Sequence, residues 1–243
     1  GAFVMTGGNF SGANTGRLTM NVGKSLILKG GSFTESASTN ANTGCQLSIG
    51  TDVLLLGGSL NTSNSESSTL RFTGEGMTRW VQKTTCTAII GNTLIGAGHS
   101  LAIKGEKFAE VAKGRTLTVG EGSELMCESV IIGGKGNFVL SDKAVLGIGH
   151  TEGIYSEGDH GNIRTAGRKF HSGATYYYYT DSQPQQTGVF VTYPKGDAVY
   201  NLIVNKTQPT HVVSLSQNLS VESQCKINLG DLRNNGYKLD IRR

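Results

Sequence analysis

From Arg115 onward apolar residues gather in short runs, Arg115 to Val119, Glu124 to Met126, Val130 to Ile132, Asn137 to Leu140 and Ala144 to Ile148, and in several of these they alternate with small or polar ones. A period of two marks a strand with one wetted face. Gly120, Gly122, Gly133, Gly134, Gly136 and the triplet Ser141-Asp142-Lys143 separate the runs. Strand centres about eight to twelve residues apart mean a β-solenoid or a β-sandwich.

The N-terminal third repeats itself. Asn14-Thr15-Gly16-Arg17-Leu18-Thr19-Met20 echoes Asn42-Thr43-Gly44-Cys45-Gln46-Leu47-Ser48-Ile49, 28 residues later. Residues 25–33 (SLILKGGSF) echo residues 53–60 (VLLLGGSL) with one residue deleted, and a looser copy runs through Thr69-Leu70-Arg71-Phe72-Thr73. Periods of roughly 25 to 28 residues suit one coil of a parallel β-helix, whose apolar face is buried only by stacking on its neighbours. Residues 34–43 and 61–68, rich in Ser, Thr, Asn and Glu, read as loops projecting from the stack.

Between Trp80 and Ala112 the pattern weakens. Ala88-Ile89-Ile90, Thr93-Leu94-Ile95 and Ser100 to Ile103 still read as strands, while residues 105–113 (GEKFAEVAK) carry the chain's one helix-like composition and read as a marginal helix or a loop. Tyr176 to Tyr179 and Leu202 to Val204 are strand runs separated by turns at Pro184, Gly188, Pro194 and Gly196. Val212 to Leu215, Leu219 to Val221, Cys225 to Leu229 and Lys238 to Ile241 continue the series. The expected architecture is all-β, a right-handed parallel β-helix over residues 1–114 that continues through 115–243, with a β-sandwich as the alternative for the C-terminal part. Gly1 without a preceding Met, and an uncapped last strand before Arg243, lead us to expect a fragment of a longer chain.

Composition supports turns and an uncharged coat. Gly contributes 35 of 243 residues and charged residues fall to 16%, against averages of about 7% Gly and about 25% charged. The net charge of +4 is scattered, without the Lys/Arg density of a nucleic-acid or membrane footprint, so no nucleic-acid partner is expected. No apolar run approaches the ~18 residues of a membrane span, and no signal peptide is visible. Cys45, Cys86, Cys127 and Cys225 lack the spacing of a zinc site and read as buried apolar residues. The first three recur every 41 residues, which would set them on similar faces of successive coils. Disulfide pairing is not readable from their positions.

The order TLTVGEGSEL (116–125), GKGNFVLSDKAVLGI (134–148), GI (153–154), GNIRTAGRKFHSGATYYY (161–178), QPQQTG (183–188), YNLIVNK (200–206) and VVSLSQNLSVESQCKINLGDLRNNGYKLDI (212–241) resembles the secreted β-solenoid repeats of giant Bacteroidota cell-surface proteins. These include adhesins associated with gliding motility and exported by type IX secretion. The resemblance covers roughly half the chain. It implies an extracellular stalk or blade without a catalytic role, whose partners are further coils of the same polypeptide, extracellular glycans or surface proteins. Residues 193–197 (YPKGD) depart from it, being longer and more charged than the expected turn.

Parallel β-helices also carry polysaccharide lyases and hydrolases, which require carboxylates or a base and a cation at fixed separation. The richest polar patch is His150, Glu152, Glu157, Asp159 and His160, with Arg164, Lys169 and His171 downstream. It matches a lyase-like neighbourhood, a Ca²⁺ site lacking the usual loop spacing, or simply a Gly-rich polar loop. Tyr176 to Tyr179 would place one pair of rings inside and one outside, where phenols stack on sugars. Thr rows of an ice-binding face do not extend at one period. The sequence therefore assigns no catalytic, cofactor-binding or metal-ligating residue and no cofactor, and it points to a non-enzymatic structural or adhesive segment. A carbohydrate-active or carbohydrate-binding β-helix is the alternative.

Overall fold

The computed structural model describes residues 1–40, 42–74 and 76–242. These form 25 strands and no helix, arranged in sheets of 14, 8 and 3 strands in which every ladder is parallel. The chain winds as a β-solenoid of about ten turns.

Inward columns explain the winding. In the eight-stranded sheet Leu47 stands beside Leu70, then Thr93, Leu117 and Phe138, while Ile49 leads to Phe72, Ile95, Val119 and Leu140. All are buried. Thr93 is tolerated in this apolar row because its hydroxyl donates to the Gly91 carbonyl at 3.2 Å. Leu26 and Leu28 of the 14-stranded sheet lie beside Val53 and Leu55 in the same way. Each fully enclosed Leu, Ile or Val contributes roughly 1.5–3 kcal/mol over exposure. Together they form one core cluster from Met5 to Val221, and the ladder crosses residue 114 where Thr93 to Ile95 pairs with Leu117 to Val119.

The repeated Gly-Gly makes a corner. The strands Leu26–Ser36 and Val53–Thr62 bend at Gly31 (φ 80°) and Gly58 (φ 81°), so one strand serves two faces of a coil. A Cβ on Gly58 would run into the Gly31 carbonyl oxygen of the coil below.

Several expectations need correction. The C-terminal part is not a sandwich: Val145–Ile148 pairs in parallel with Thr175–Tyr178, and that strand with Asn201–Lys206, continuing the stack. Residues 105–113 are not helical. Phe108 packs on Trp80 with ring centroids 4.8 Å apart, and Glu110–Val111 pairs with Ile89–Ile90. Coil length varies more than the sequence period, from 19 residues where Val212 meets Asp231 to 31 where Ile132 meets Ile163. The first echo is shifted by one, since Leu18 pairs with Cys45 and Met20 with Leu47. The second needs no deletion, because Leu26 to Val53 and Phe33 to Leu60 keep one offset.

The expected loops are shorter and more enclosed. Residues 34–36 and 61–62 belong to strands, and residue 41 of the first loop lies outside the described residues. Ser65 and Ser68 are fully buried, and the Asn64 amide donates to the Ser36 carbonyl at 2.8 Å. The first three cysteines do not occupy equivalent positions of successive coils. Cys45 sits in the strand Gly44–Ile49, whereas Cys86 and Cys127 occupy turns, and all four are free thiols.

Candidate functional site

The polar patch around His150 belongs to the long excursion before the strand Ile163–His171. Asn162 anchors it. The buried Asn162 Oδ1 accepts from the Gly149 and His150 amides at 3.1 and 3.0 Å, and Nδ2 donates to the Glu128 and Val130 carbonyls at 2.9 and 2.8 Å. That uses the full capacity of the amide group.

Outside this anchor His150, Glu152, Asp159, His160 and Arg164 lie against one another, while Glu157 is exposed and pairs with no described residue. Glu152 accepts from the Gly161 amide at 3.1 Å and lies 3.3 Å from His160 Nδ1, and the Gly161 bond holds its carboxyl below the usual range. Arg164 donates to the Gly161 carbonyl at 3.0 Å, lies 3.4 Å from Asp159 and is 3.3 Å from His150 Nε2. Burial and then the Arg164 charge push the His150 pKa down. A neutral imidazole beside a guanidinium is the pair that proton abstraction needs, but here the two face each other.

His171 does not join this patch. Its Nδ1 accepts from the Gly173 amide at 3.0 Å, so the nitrogen is unavailable as a donor to Asp142, 3.3 Å away. Lys169 is likewise elsewhere, its ammonium 4.3 Å from the centre of the Tyr193 ring. The structure thus splits the downstream residues from the loop they follow in sequence. Among the described residues no group of three or more His, Cys, Asp or Glu is placed to hold a metal ion.

The tyrosine run divides by strand alternation. Tyr176 and Tyr178 are wholly enclosed, with hydroxyls donating to the His171 and Thr187 carbonyls, each at 2.9 Å. Tyr177 and Tyr179 point outward but remain half-buried, stacked with centroids 5.4 Å apart. Asn205 donates to the Tyr177 hydroxyl at 2.5 Å and the Glu128 amide to the Tyr179 hydroxyl at 2.7 Å. Tyr176 is therefore a core residue, and a ligand meets only the outer pair.

Beside that pair lies an open depression of about 490 Å³ lined by Glu128, Tyr179, Asp181, Asn205 and Lys206. Lys206 was not legible in the sequence as a special residue. Its side chain turns inward, donating to the Tyr179 and Ser182 carbonyls at 3.2 and 3.1 Å and to Gln185 Oε1 at 2.7 Å. Burial lowers its pKa to about 8, opposed by the Asp181 charge. Its one sequence signal is a Lys in the inward phase of a strand, after Leu202 and Val204.

Glu35 is a second enclosed titratable group. It accepts from the Ser65 amide at 3.3 Å while Oε2 has no partner, and burial pushes its pKa up. Burial, and then the nearby Glu35, push the Cys45 thiol up to about 11. Such a thiol is unreactive at neutral pH.

Comparison of the chain with protein-family models, curated proteins and solved structures found no match.

Proposed function

We propose that this chain is a non-enzymatic structural segment of a large secreted cell-surface protein, a stiff stalk that displays its outer faces to a partner. One observation supports this above the others: a single apolar column runs the length of the winding, while His150, Glu152, Asp159, His160 and Arg164 of the outer loop are engaged with each other. Such a column stiffens the chain because every coil buries its inner face on the next. The extracellular setting, adhesive role and type IX route rest on the resemblance of residues 116–241 alone.

The test is turnover. Incubation with uronic-acid polysaccharides should yield no unsaturated product, whereas product formation abolished by His160→Ala would replace the scaffold reading with a lyase. A carbohydrate-binding reading is favoured by the stacked Tyr177 and Tyr179 beside Asn205 and Asp181. It predicts glycan binding without turnover, lost in Tyr177→Ala.

A further inference from the structure

Charge is divided unequally between the two main sheets. The strands of the eight-stranded sheet contain Arg17, Arg71, Lys135, Arg164, Arg168 and Lys169 and no Asp or Glu. The 14-stranded sheet, by contrast, mixes Glu35, Glu110, Glu124, Glu222 and Asp240 with Lys29, Arg79, Lys206 and Lys226. Three carboxylates in the turns flanking the basic sheet are paired, Asp52 with Arg79, Glu66 with Arg115 and Glu121 with Lys143, while Asp142 lies at the sheet's edge beside His171. Arg164 and Arg168 are tied to the Gly161 carbonyl and to the Thr165 and Tyr155 carbonyls. Among the described residues, Arg17, Arg71 and Lys135 have no carboxylate within 4.0 Å.

Between those cations the outward rows of this sheet carry no other charge, one mixing polar residues with Leu94 and Val139 and the other wholly polar. One row runs Asn21, Ser48, Arg71, Leu94 and Thr118, then reaches Val139 and Lys169. Beside it, Thr19, Gln46, Thr69 and Asn92 form a second row. A shallow depression of about 260 Å³ crosses three coils between Thr69, Arg71, Asn92 and Thr118. Within its wall the Thr69 hydroxyl has no hydrogen-bond partner.

We propose that this outward face is the docking surface for an extended acidic polysaccharide lying along the solenoid axis. The inference rests on the scaffold reading and names what the scaffold displays itself to. Strands in register lie about 4.8 Å apart, so Arg71 and Lys169, four coils apart, are separated by about 19 Å. Leu94, Thr118 and Val139 lie between them in that row, and Asn92, Thr116 and Asn137 supply amide and hydroxyl groups in the row beside it. A glycan with carboxylates spaced among many hydroxyls complements that pattern. Duplex nucleic acid, with a charge about every 1.7 Å, calls for a denser row of cations, and an anionic membrane for clusters of about four to eight Lys or Arg.

Titration calorimetry of the folded chain decides it, using polygalacturonate and chondroitin sulfate against dextran, duplex DNA and phosphatidylserine vesicles. Binding to at least one acidic glycan is expected, weakened by salt. It should fall at least about fivefold in Arg71→Gln/Lys169→Gln, each lost exposed pair contributing about 0.5 kcal/mol. A Lys29→Gln/Lys226→Gln control on the other sheet should bind as the parent does. Binding to neither acidic glycan, unchanged affinity in the first double variant, or equal or tighter binding of dextran, DNA or vesicles overturns the proposal. No binding with no turnover removes the docking surface and leaves the scaffold. Unsaturated product removes the scaffold whatever the affinity.

Discussion

Asn162 gives an amide hydrogen to the Val130 carbonyl at 2.8 Å, tying residues 32 positions apart through a side chain that is itself fully buried. The same amide closes three more bonds, so it holds the His150 loop to the stack. Asn162→Leu fills the space but orphans two amides and two carbonyls. The expected cost is about 3 kcal/mol or more, since a buried unpaired group costs about 1–3 kcal/mol. Denaturant unfolding of the variant measures it, and a loss below about 1 kcal/mol would show that water or a rearranged loop takes over the bonds.

Gly58 tests the corner. Gly58→Ala places a methyl at positive φ and against the Gly31 carbonyl oxygen, whereas Gly98→Ala meets the same φ problem (74°) with nothing within 4 Å. The φ penalty alone is about 1–2 kcal/mol. Thermal unfolding should therefore show Gly58→Ala clearly less stable than Gly98→Ala, and equal losses would deny the close approach of the two coils.

Glu35 makes stability depend on pH in the less common direction. Its folded pKa is raised above the unfolded value by burial, so the folded state holds this proton more tightly. The benefit is full below the unfolded pKa and is lost as pH rises through the folded one. Glu35→Gln should be more stable than the parent at pH 7 to 8 and show a smaller decline with pH from the acid side. Parallel pH profiles for the two proteins would contradict the assignment.

Lys206 acts at the other end of the scale. Its folded pKa of about 8 lies below the ordinary lysine value of 10.5, so the unfolded chain holds more protons between those limits. Stability should rise with pH across that window. Lys206→Met should lose that rise and be weaker throughout, because the Tyr179 and Ser182 carbonyls lose their donor. Urea midpoints at pH 7.5 and pH 10 compare the two proteins directly.

Much of the winding was legible because inward residues recur as Leu, Ile, Val and Phe, and because the Gly-Gly corners repeat as letters. Register was harder. The Asn-Thr-Gly turns align at one offset, while Leu18 on Cys45 and Met20 on Leu47 follow the inward phase at another. Residues 105–113 misled because Glu, Lys and Ala favour helix locally, yet Phe108 and Val111 are held by Trp80 and by the ladder of a neighbouring coil. The candidate chemistry was least legible, since neighbours in space come from different coils. His171 and His150 are near in sequence but the strand between them carries His171 to another corner, and the charge contrast between sheets appears only once each strand has a face.

The central claim is the stack itself, and the distance between Asn21 and Lys169 reports it most directly. Both are exposed, and they occupy one outward row six coils apart. Spin labels at these positions, measured by pulsed dipolar spectroscopy, should give a single distribution centred near about 29 Å from a rise of about 4.8 Å per coil. A distribution below about 20 Å, as expected if the C-terminal strands folded back as a layer about 10 Å from the first, would contradict it.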